Sequence, residues 1–139
     1  MEQYTGTRPV SGAHAFDVAA LERWLGGHVD GFAGALAVEQ FKGGQSNPTF
    51  KLTTPRATYV MRCKPGPVAK LLPSAHAIER EYRVMRALRP HGVPVPEMLA
   101  LCEDESVTGR AFYIMSYADG RVLWNQALPD ATPAERGAI

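Results

Sequence analysis

A short run with two adjacent glycines is the first part of this sequence that could do chemistry. Residues 43–47 read GGQSN and lie between two strand-like stretches. Adjacent glycines let successive backbone N–H groups approach the oxygens of a polyphosphate closely. Ser46 and Asn47 could add side-chain donors, whereas Pro48 removes one backbone N–H. The segment therefore predicts a partial phosphate cradle, and a plain hairpin turn is the alternative.

Two cations lie on one face of a predicted strand, and two carboxylates follow on a predicted helix. Arg62 and Lys64 are two residues apart, so they share a face of the strand. A cation placed there needs a partner, and Glu79 or Glu81 could supply it. These glutamates are only two apart, so we expect that they cannot both face the sheet, and the pattern alone does not separate them. A paired cation could hold nucleotide phosphates; a strand-edge arginine and a solvated glutamate are the alternative.

The third candidate is an apolar strand that runs into a polar segment. Residues 112–117 read FYIMSY, and Ala118, Asp119 and Gly120 follow. Backbone carbonyl and N–H groups beside an apolar wall are what the edge of an adenine ring needs. A strand followed by an ordinary turn is the alternative.

The bulk composition excludes several functional classes. Fifteen Lys and Arg balance fourteen Asp and Glu, which predicts no electrostatic binding to nucleic acid or to an anionic membrane. The polar segment Met1–His14 is neither a signal peptide nor a membrane span. The four histidines show no metal-ligand spacing. Cys63 and Cys102 are expected to be small buried apolar residues in a reduced, cytoplasmic protein.

Hydrophobic periodicity predicts an α+β fold. Asp17 is the expected N-cap of a helix over Val18–Leu25 that stops at Gly26 and Gly27. A second helix is predicted over Ala75–Arg89, with an apolar stripe that ends at Pro90 and Gly92. Five strands are predicted at 36–41, 49–54, 58–64, 98–102 and 112–117. Hairpin-length connections imply an antiparallel sheet with the second helix on one face. Thr132 and Glu135 form a capping-box pattern for a last helix.

Several of these segments together resemble the aminoglycoside phosphotransferase family, and most closely the branch whose kinase domain is also found fused to certain acyl-CoA dehydrogenases. The resemblance covers about residues 16–139 and rests on five runs at 41–50, 59–65, 79–85, 93–96 and 112–115. It implies a protein-kinase-like N-terminal lobe, with a five-stranded antiparallel sheet, one inserted helix and an N-terminal helix, and without the C-terminal lobe. The expected organisation is a flexible N-terminus over 1–15, the lobe over 16–117, and a hinge with the start of a truncated second lobe over 118–139.

The resemblance also implies functional residues. The family's nucleotide-positioning loop falls on Gly43, Gly44, Gln45, Ser46 and Asn47. Arg62 takes the place of the usual strand-three lysine, and Glu81, in its Arg-Glu-Tyr context, becomes the helix partner in preference to Glu79. Lys64, on the same strand face, is the second candidate for the cation that holds the nucleotide phosphates. The remaining ATP-binding positions are Val60, the gatekeeper Met115, Ser116, Tyr117 and Ala118. No catalytic residue and no metal ligand are expected in this chain.

These implications lead to three hypotheses. The first is the ATP-binding lobe of a small-molecule phosphotransferase that moves the ATP γ-phosphoryl to a substrate hydroxyl and is inactive alone. Its cofactors would be ATP and Mg, with the metal ligands in the second lobe. The second is a pseudokinase or partner-binding fragment without catalysis, and the third is an unrelated α+β binding domain. The expected partners are a nucleotide and a hydroxyl substrate, with neither nucleic acid nor membrane, and self-association into a homo-oligomer is left open.

Two geometric expectations follow from the first hypothesis. Arg62 and Glu81 should lie close enough to pair. The nucleotide-facing residues should be more exposed, as a group, than the apolar stripe of the second helix, because the other lobe would cover them. The nucleotide-facing group comprises Val60, Met115, Val122, Leu123 and Trp124, and the stripe comprises Ile78, Tyr82, Met85 and Leu88.

Overall fold

The protein is built on one antiparallel sheet of six strands. A computed structural model describes residues 6–10, 12, 15–42, 47–64, 78–118 and 132–138. The strands are β1 (Thr7–Arg8), β2 (Ala37–Phe41), β3 (Thr49–Thr53), β4 (Thr58–Cys63), β5 (Met98–Cys102) and β6 (Phe112–Ser116). Their order across the sheet is β1-β2-β3-β4-β6-β5, and every neighbouring pair is antiparallel. β4 and β6, which carry candidate site residues, are therefore neighbouring interior strands, each paired on both sides.

Helix α1 (Val18–His28) covers one face of the sheet. Asp17 caps it as predicted, since its carboxylate accepts a hydrogen bond of 3.1 Å from the Ala20 N–H. Leu21 and Leu25 are fully buried against strand residues that alternate along β3, β4 and β6. These are Phe50, Leu52, Tyr59, Met61, Cys63, Phe112 and Ile114. Burial of these apolar side chains is the main driving force for the fold, because apolar area removed from water contributes about 25 cal/mol per Å².

Helix α2 (Ile78–Leu88) packs on the opposite face and buries a smaller cluster. Ile78 and Tyr82 contact the cluster from the helix, and Met98, Ala111 and Tyr113 line it from the sheet. A single 3-10 turn (Arg89–His91) ends the helix, and Gly92 follows with a left-handed φ of 80° that only glycine adopts easily. The helix termination predicted at Pro90 and Gly92 is therefore confirmed.

The structure corrects two details of the predicted fold. The sheet has six strands and not five, because Thr7–Arg8 pairs with Phe41 and Gln40 of β2, and two residues are too few to show periodicity. Helix α1 continues past Gly26 and Gly27 to His28, whose ring stacks on Trp24 at 4.1 Å and whose Nδ1 contacts the Trp24 carbonyl at 2.7 Å. The two helices cover both faces of the sheet. The proposed bounds 1–15, 16–117 and 118–139 stay predictions.

The remaining described features agree with the sequence. Helix α3 (Pro133–Ala138) begins with the predicted capping box, in which Thr132 N–H donates to Glu135 Oε2 at 2.7 Å and Glu135 N–H donates to Thr132 Oγ1 at 3.2 Å. Cys63 and Cys102 are buried free thiols, as predicted. Both lie in register with Phe112, on strands either side of β6. No helix among the described residues is long and apolar enough to cross a membrane.

Candidate nucleotide-anchoring site

The site begins with a contact between a strand cation and a helix carboxylate. Arg62 lies on β4 directly between Thr49 of β3 and Tyr113 of β6, on the face covered by α2. Its Nε is 3.2 Å from Glu81 Oε2 on the helix, and both side chains are about one-third exposed. The expected proximity of Arg62 and Glu81 is confirmed. An ion pair at this depth is partly screened by water, so it orients the two groups more than it stabilises the fold.

A buried tyrosine holds the same carboxylate. Tyr113 is 1% exposed, and its hydroxyl donates a 3.1 Å hydrogen bond to Glu81 Oε2. Burial, together with the negative charge of Glu81, raises the pKa of Tyr113 above its ordinary value of 10.0. The phenol therefore stays protonated at physiological pH and acts as a donor. One carboxylate oxygen is shared between a strand cation and a neutral strand hydroxyl.

A second ion pair lies beside the first. Lys64, just after β4, places Nζ 2.7 Å from Glu79 Oε1 near the start of α2. The expectation that Glu79 and Glu81 cannot both face the sheet is therefore wrong. Glutamate side chains are long enough to turn towards the strand from positions at the edges of the helix face. Burial alone would raise the pKa of Glu79, but the hydrogen bond and charge of Lys64, a backbone N–H and the charge of Arg83 lower it overall.

A row of side chains crosses the same face beside the ion pairs. Lys51 of β3, Val60 of β4 and Met115 of β6 are adjacent in register. Lys51 Nζ lies 5.0 Å from the centre of the Tyr117 ring, which follows β6. Because β4 lies between β3 and β6, the two side chains together span β4 to make this contact. We call Lys51 and Tyr117 the Lys51–Tyr117 strap.

The exposure expected of the nucleotide-facing group concerns two described residues, Val60 and Met115. Val60 is 7% exposed and Met115 is half-buried, whereas the α2 stripe runs from Ile78 at 0% to Leu88 at 38%. Val60 is therefore more buried than expected. Val122, Leu123 and Trp124 lie outside the described residues, and the comparison of the two whole groups stays a prediction.

The segment after β6 is joined to the start of β5 by a pair of hydrogen bonds. Ser116 N–H donates to the Glu97 carbonyl at 2.9 Å, and the Glu97 N–H donates to Ser116 Oγ at 2.9 Å. The Ser116 N–H therefore already has an acceptor within the chain. Ala118 is exposed at the end of the described segment. The adenine-binding roles of Ser116, Tyr117 and Ala118 stay predictions.

The end of the glycine loop is anchored next to Arg62. Residues 43–46, the first four of the predicted loop, lie outside the described residues. Asn47 is 3% exposed, and its carbonyl accepts a 3.0 Å hydrogen bond from Thr49 Oγ1. The Pro48 carbonyl accepts from the Cys63 N–H at 2.9 Å, so the exit of the loop is fixed to the end of β4. Thr49 then pairs with Arg62. The geometry brings the loop exit and the predicted anchor together.

Sequence analysis missed two residues of this site. Tyr113 was assigned only to an apolar strand, because its position opposite Arg62 depends on the register of β6 against β4. Lys51 was overlooked because a lysine in a strand is usually a solvated edge residue. A lysine on the same face as Val60, one strand away, was the available signal. Among the described residues no three His, Cys, Asp or Glu side chains gather as metal ligands.

Comparisons with known proteins agree with this geometry. The chain is similar to a solved "putative aminoglycoside phosphotransferase" from Ralstonia eutropha, with 64% identity and a TM-score of 0.74 over 89% of this chain and 34% of that chain. Two curated relatives are acyl-CoA dehydrogenase family member 11 of Gallus gallus, 48% identical over 96% of this chain, and family member 10 of Mus musculus, 46% identical over 96%. A probable acyl-CoA dehydrogenase of Arabidopsis thaliana is 44% identical over 94%.

The matched regions are a small part of these relatives. The chain spans 18%, 12% and 16% of the length of the chicken, mouse and Arabidopsis proteins. The family model described as "Phosphotransferase enzyme family" matches residues 37–139. This range includes the Arg62–Glu81 and Lys64–Glu79 ion pairs and every strand of the sheet except β1. The predicted resemblance and the kinase-like N-terminal-lobe fold are confirmed. The chain belongs to the phosphotransferase enzyme family.

Proposed function

We propose that this chain is the ATP-binding N-terminal lobe of a small-molecule phosphotransferase. In the parent protein, the γ-phosphoryl of ATP would pass to a hydroxyl of the substrate. The observation that carries the proposal is the Arg62–Glu81 ion pair, 3.2 Å long, beside the exit of the predicted phosphate loop. A guanidinium held by a carboxylate is oriented before the ligand arrives, which reduces the cost of ordering it on binding.

The described residues fit a triphosphate nucleotide. Arg62 and Lys64 place two positive charges on one side of the strand, next to Asn47 and Thr49 at the loop exit. Val60 and Met115, adjacent in register, would supply apolar contacts for the nucleobase. Magnesium, when bound with ATP, would neutralise charge on the phosphate oxygens. Its protein ligands are expected in the second lobe, consistent with the family resemblance.

The division of the proposed site between two lobes explains why this chain should be inactive alone. Phosphoryl transfer depends almost entirely on positioning and on charge stabilisation of the transferred group. This chain would supply the phosphate anchor and the surface that binds the adenine ring. The catalytic general base and the metal ligands would come from the second lobe. A pseudokinase that binds nucleotide or a partner without transfer is the second candidate. A cytoplasmic location is part of the proposal, because both thiols are free.

The test uses the parent protein with its second lobe. We expect [γ-³²P]ATP to label at least one member of a panel of aminoglycosides, hydroxy acids and hydroxyacyl thioesters. Arg62→Met should raise the KM for ATP about tenfold or more, because a charged phosphate contact is worth about 1.5–3 kcal/mol. Arg56→Met, in the exposed turn between β3 and β4, is the matched control. Nucleotide binding without transfer to any substrate would favour the pseudokinase. Wild-type KM in Arg62→Met would contradict the anchor.

A further inference from the structure

Three elements of the fold meet at one carboxylate oxygen. Glu81 Oε2, on α2, contacts Arg62 Nε at 3.2 Å and the Tyr113 hydroxyl at 3.1 Å. Arg62 and Tyr113 are opposite each other on β4 and β6, two neighbouring interior strands. The oxygen is thus held from both strands at the same level of the sheet. No other strand pair is joined to α2 through a single side-chain atom in the described hydrogen bonds and ion pairs.

The tyrosine has little freedom to do anything else. Its ring belongs to the apolar cluster under α2 and packs at 6.0 Å from the ring of Tyr82. With 1% of its surface exposed, the side chain cannot change rotamer without disturbing that cluster. The hydroxyl therefore points at Glu81 from a fixed place. A donor fixed by packing orients its acceptor at a small cost in conformational entropy.

The chemical type of the donor matters as much as its position. A phosphate that binds Arg62 competes with Glu81 for the same guanidinium. If Arg62 were the sole partner of Glu81, the carboxylate could turn away when phosphate arrived. A cation in the place of Tyr113 would hold the carboxylate, but it would also attract the phosphate. The neutral Tyr113 hydroxyl holds the carboxylate and offers the phosphate no positive charge.

From this geometry we infer that Tyr113 is a positioning residue, which keeps Glu81 in place so that Arg62 is presented to the nucleotide phosphates. The inference rests on the proposed function, because it requires Arg62 to be the phosphate anchor. Tyr113 does not touch the nucleotide. It acts through Glu81, and it connects the strand that leads to the adenine-facing segment with the helix that supports the anchor.

The test is a double-mutant cycle in the parent protein. Tyr113→Phe removes only the hydroxyl and keeps the packed ring, and it should raise the KM for ATP about threefold to tenfold, the range for the net contribution of a typical hydrogen bond. The KM for the hydroxyl substrate should change less than about twofold, because Tyr113 acts on the phosphate anchor alone. Glu81→Gln should raise the KM for ATP more. The double variant should match Glu81→Gln, since Tyr113 acts through that carboxylate.

Two controls separate positioning from packing. Tyr59→Phe removes a hydroxyl from a buried tyrosine on the opposite face of β4 and should leave the KM for ATP unchanged. 4-Aminophenylalanine at position 113 restores an N–H donor in place of the hydroxyl and should return the KM towards the wild-type value. A structural role would instead lower the thermal midpoint in Tyr113→Phe without moving the KM.

The outcomes distinguish this inference from the function on which it rests. Wild-type KM for ATP in Tyr113→Phe or in Glu81→Gln, or multiplicative effects in the double variant, would overturn the inference and leave the Arg62 anchor standing. Wild-type KM in Arg62→Met would remove the anchor, and the inference would fall with it. A raised KM in Tyr113→Phe that the amino analogue does not rescue would also overturn the role of the donor.

Discussion

Lys64 Nζ lies 2.7 Å from Glu79 Oε1, and this contact runs beside the 3.2 Å contact between Arg62 and Glu81. Two cations two residues apart thus meet two carboxylates two residues apart. The shorter contact is made by Lys64, which follows the end of β4 and has a side chain that is 40% exposed. The longer contact is made by Arg62 within β4, and its partner Glu81 also accepts a hydrogen bond from the buried Tyr113. The two pairs should therefore differ in function.

The first prediction separates the two candidate phosphate anchors. In the parent protein, Arg62→Met should raise the KM for ATP at least about tenfold, whereas Lys64→Met should raise it less than about threefold. Arg62 is presented by Glu81 next to the loop exit, while Lys64 is more exposed and outside the ladder. Steady-state kinetics with varied ATP measure the difference. The reverse order would make Lys64 the anchor and Arg62 a structural cation.

A second prediction concerns acid stability of the 139-residue chain. The net effect of its surroundings lowers the pKa of Glu79 from its ordinary 4.5, so the folded state binds fewer protons there than the unfolded state. A lowered folded pKa contributes stability above the unfolded value, and this contribution is lost as pH falls through the folded value. Glu79→Gln should therefore be less stable than wild type at pH 7, by a few tenths of a kcal/mol for a partly exposed pair. The difference should shrink as the pH falls below the ordinary pKa of 4.5 and through the lower pKa of the folded state.

Urea unfolding at pH 7, 5, 4 and 3 measures this convergence. Glu103→Gln is the matched control, because its ion pair with Arg83 is longer, at 3.6 Å, and both side chains are more than half exposed. That substitution should change stability little at any of these pH values. Parallel curves for wild type and Glu79→Gln between pH 7 and pH 3 would show that the Lys64 pair does not carry the lowered pKa.

The third prediction addresses the Lys51–Tyr117 strap. Lys51→Met keeps most of the aliphatic stem and removes the ammonium, which lies 5.0 Å from the centre of the Tyr117 ring. It should lower the free energy of unfolding by about 0.5–1 kcal/mol, the range for an exposed cation–π contact. Tyr117→Leu should cost a similar amount. In the double variant the costs should not add, because both substitutions remove the same contact. Full additivity in urea unfolding would mean that the two side chains do not interact in solution.

The sequence predicted the elements better than their partners. Strand periodicity located five of the six strands within one residue at each end, and the cap at Asp17 followed from local chemistry. The pairing of Arg62 with Glu81 was predictable from spacing and family resemblance. The contact of Tyr113 with Glu81 was not, because it depends on the register of β6 against β4, which joins residues far apart in the chain. Short strands and long side chains that cross a strand leave no periodic signal.

The last prediction concerns the two thiols. Burial raises the pKa of Cys63 to about 12, and the nearby positive charge of Arg110 only partly opposes it. At pH 8 about one molecule in ten thousand would carry a thiolate there, and the thiolate is the reactive form. Burial also raises the pKa of Cys102, whose Sγ lies 3.4 Å from the Asp104 carbonyl. We expect neither thiol to react with a disulfide reagent at pH 8 faster than the sheet opens.

Single-cysteine variants make the measurement specific. Cys102→Ser isolates Cys63 on central β4, and Cys63→Ser isolates Cys102 on edge strand β5. Cys102 should label faster than Cys63 under native conditions, because an edge strand opens locally at a lower free-energy cost than a central one. In high urea both should label at the same rate as a free thiol. Equal, slow rates in native buffer would indicate that the sheet opens as one unit, and faster labelling of Cys63 would contradict its place between β3 and β6.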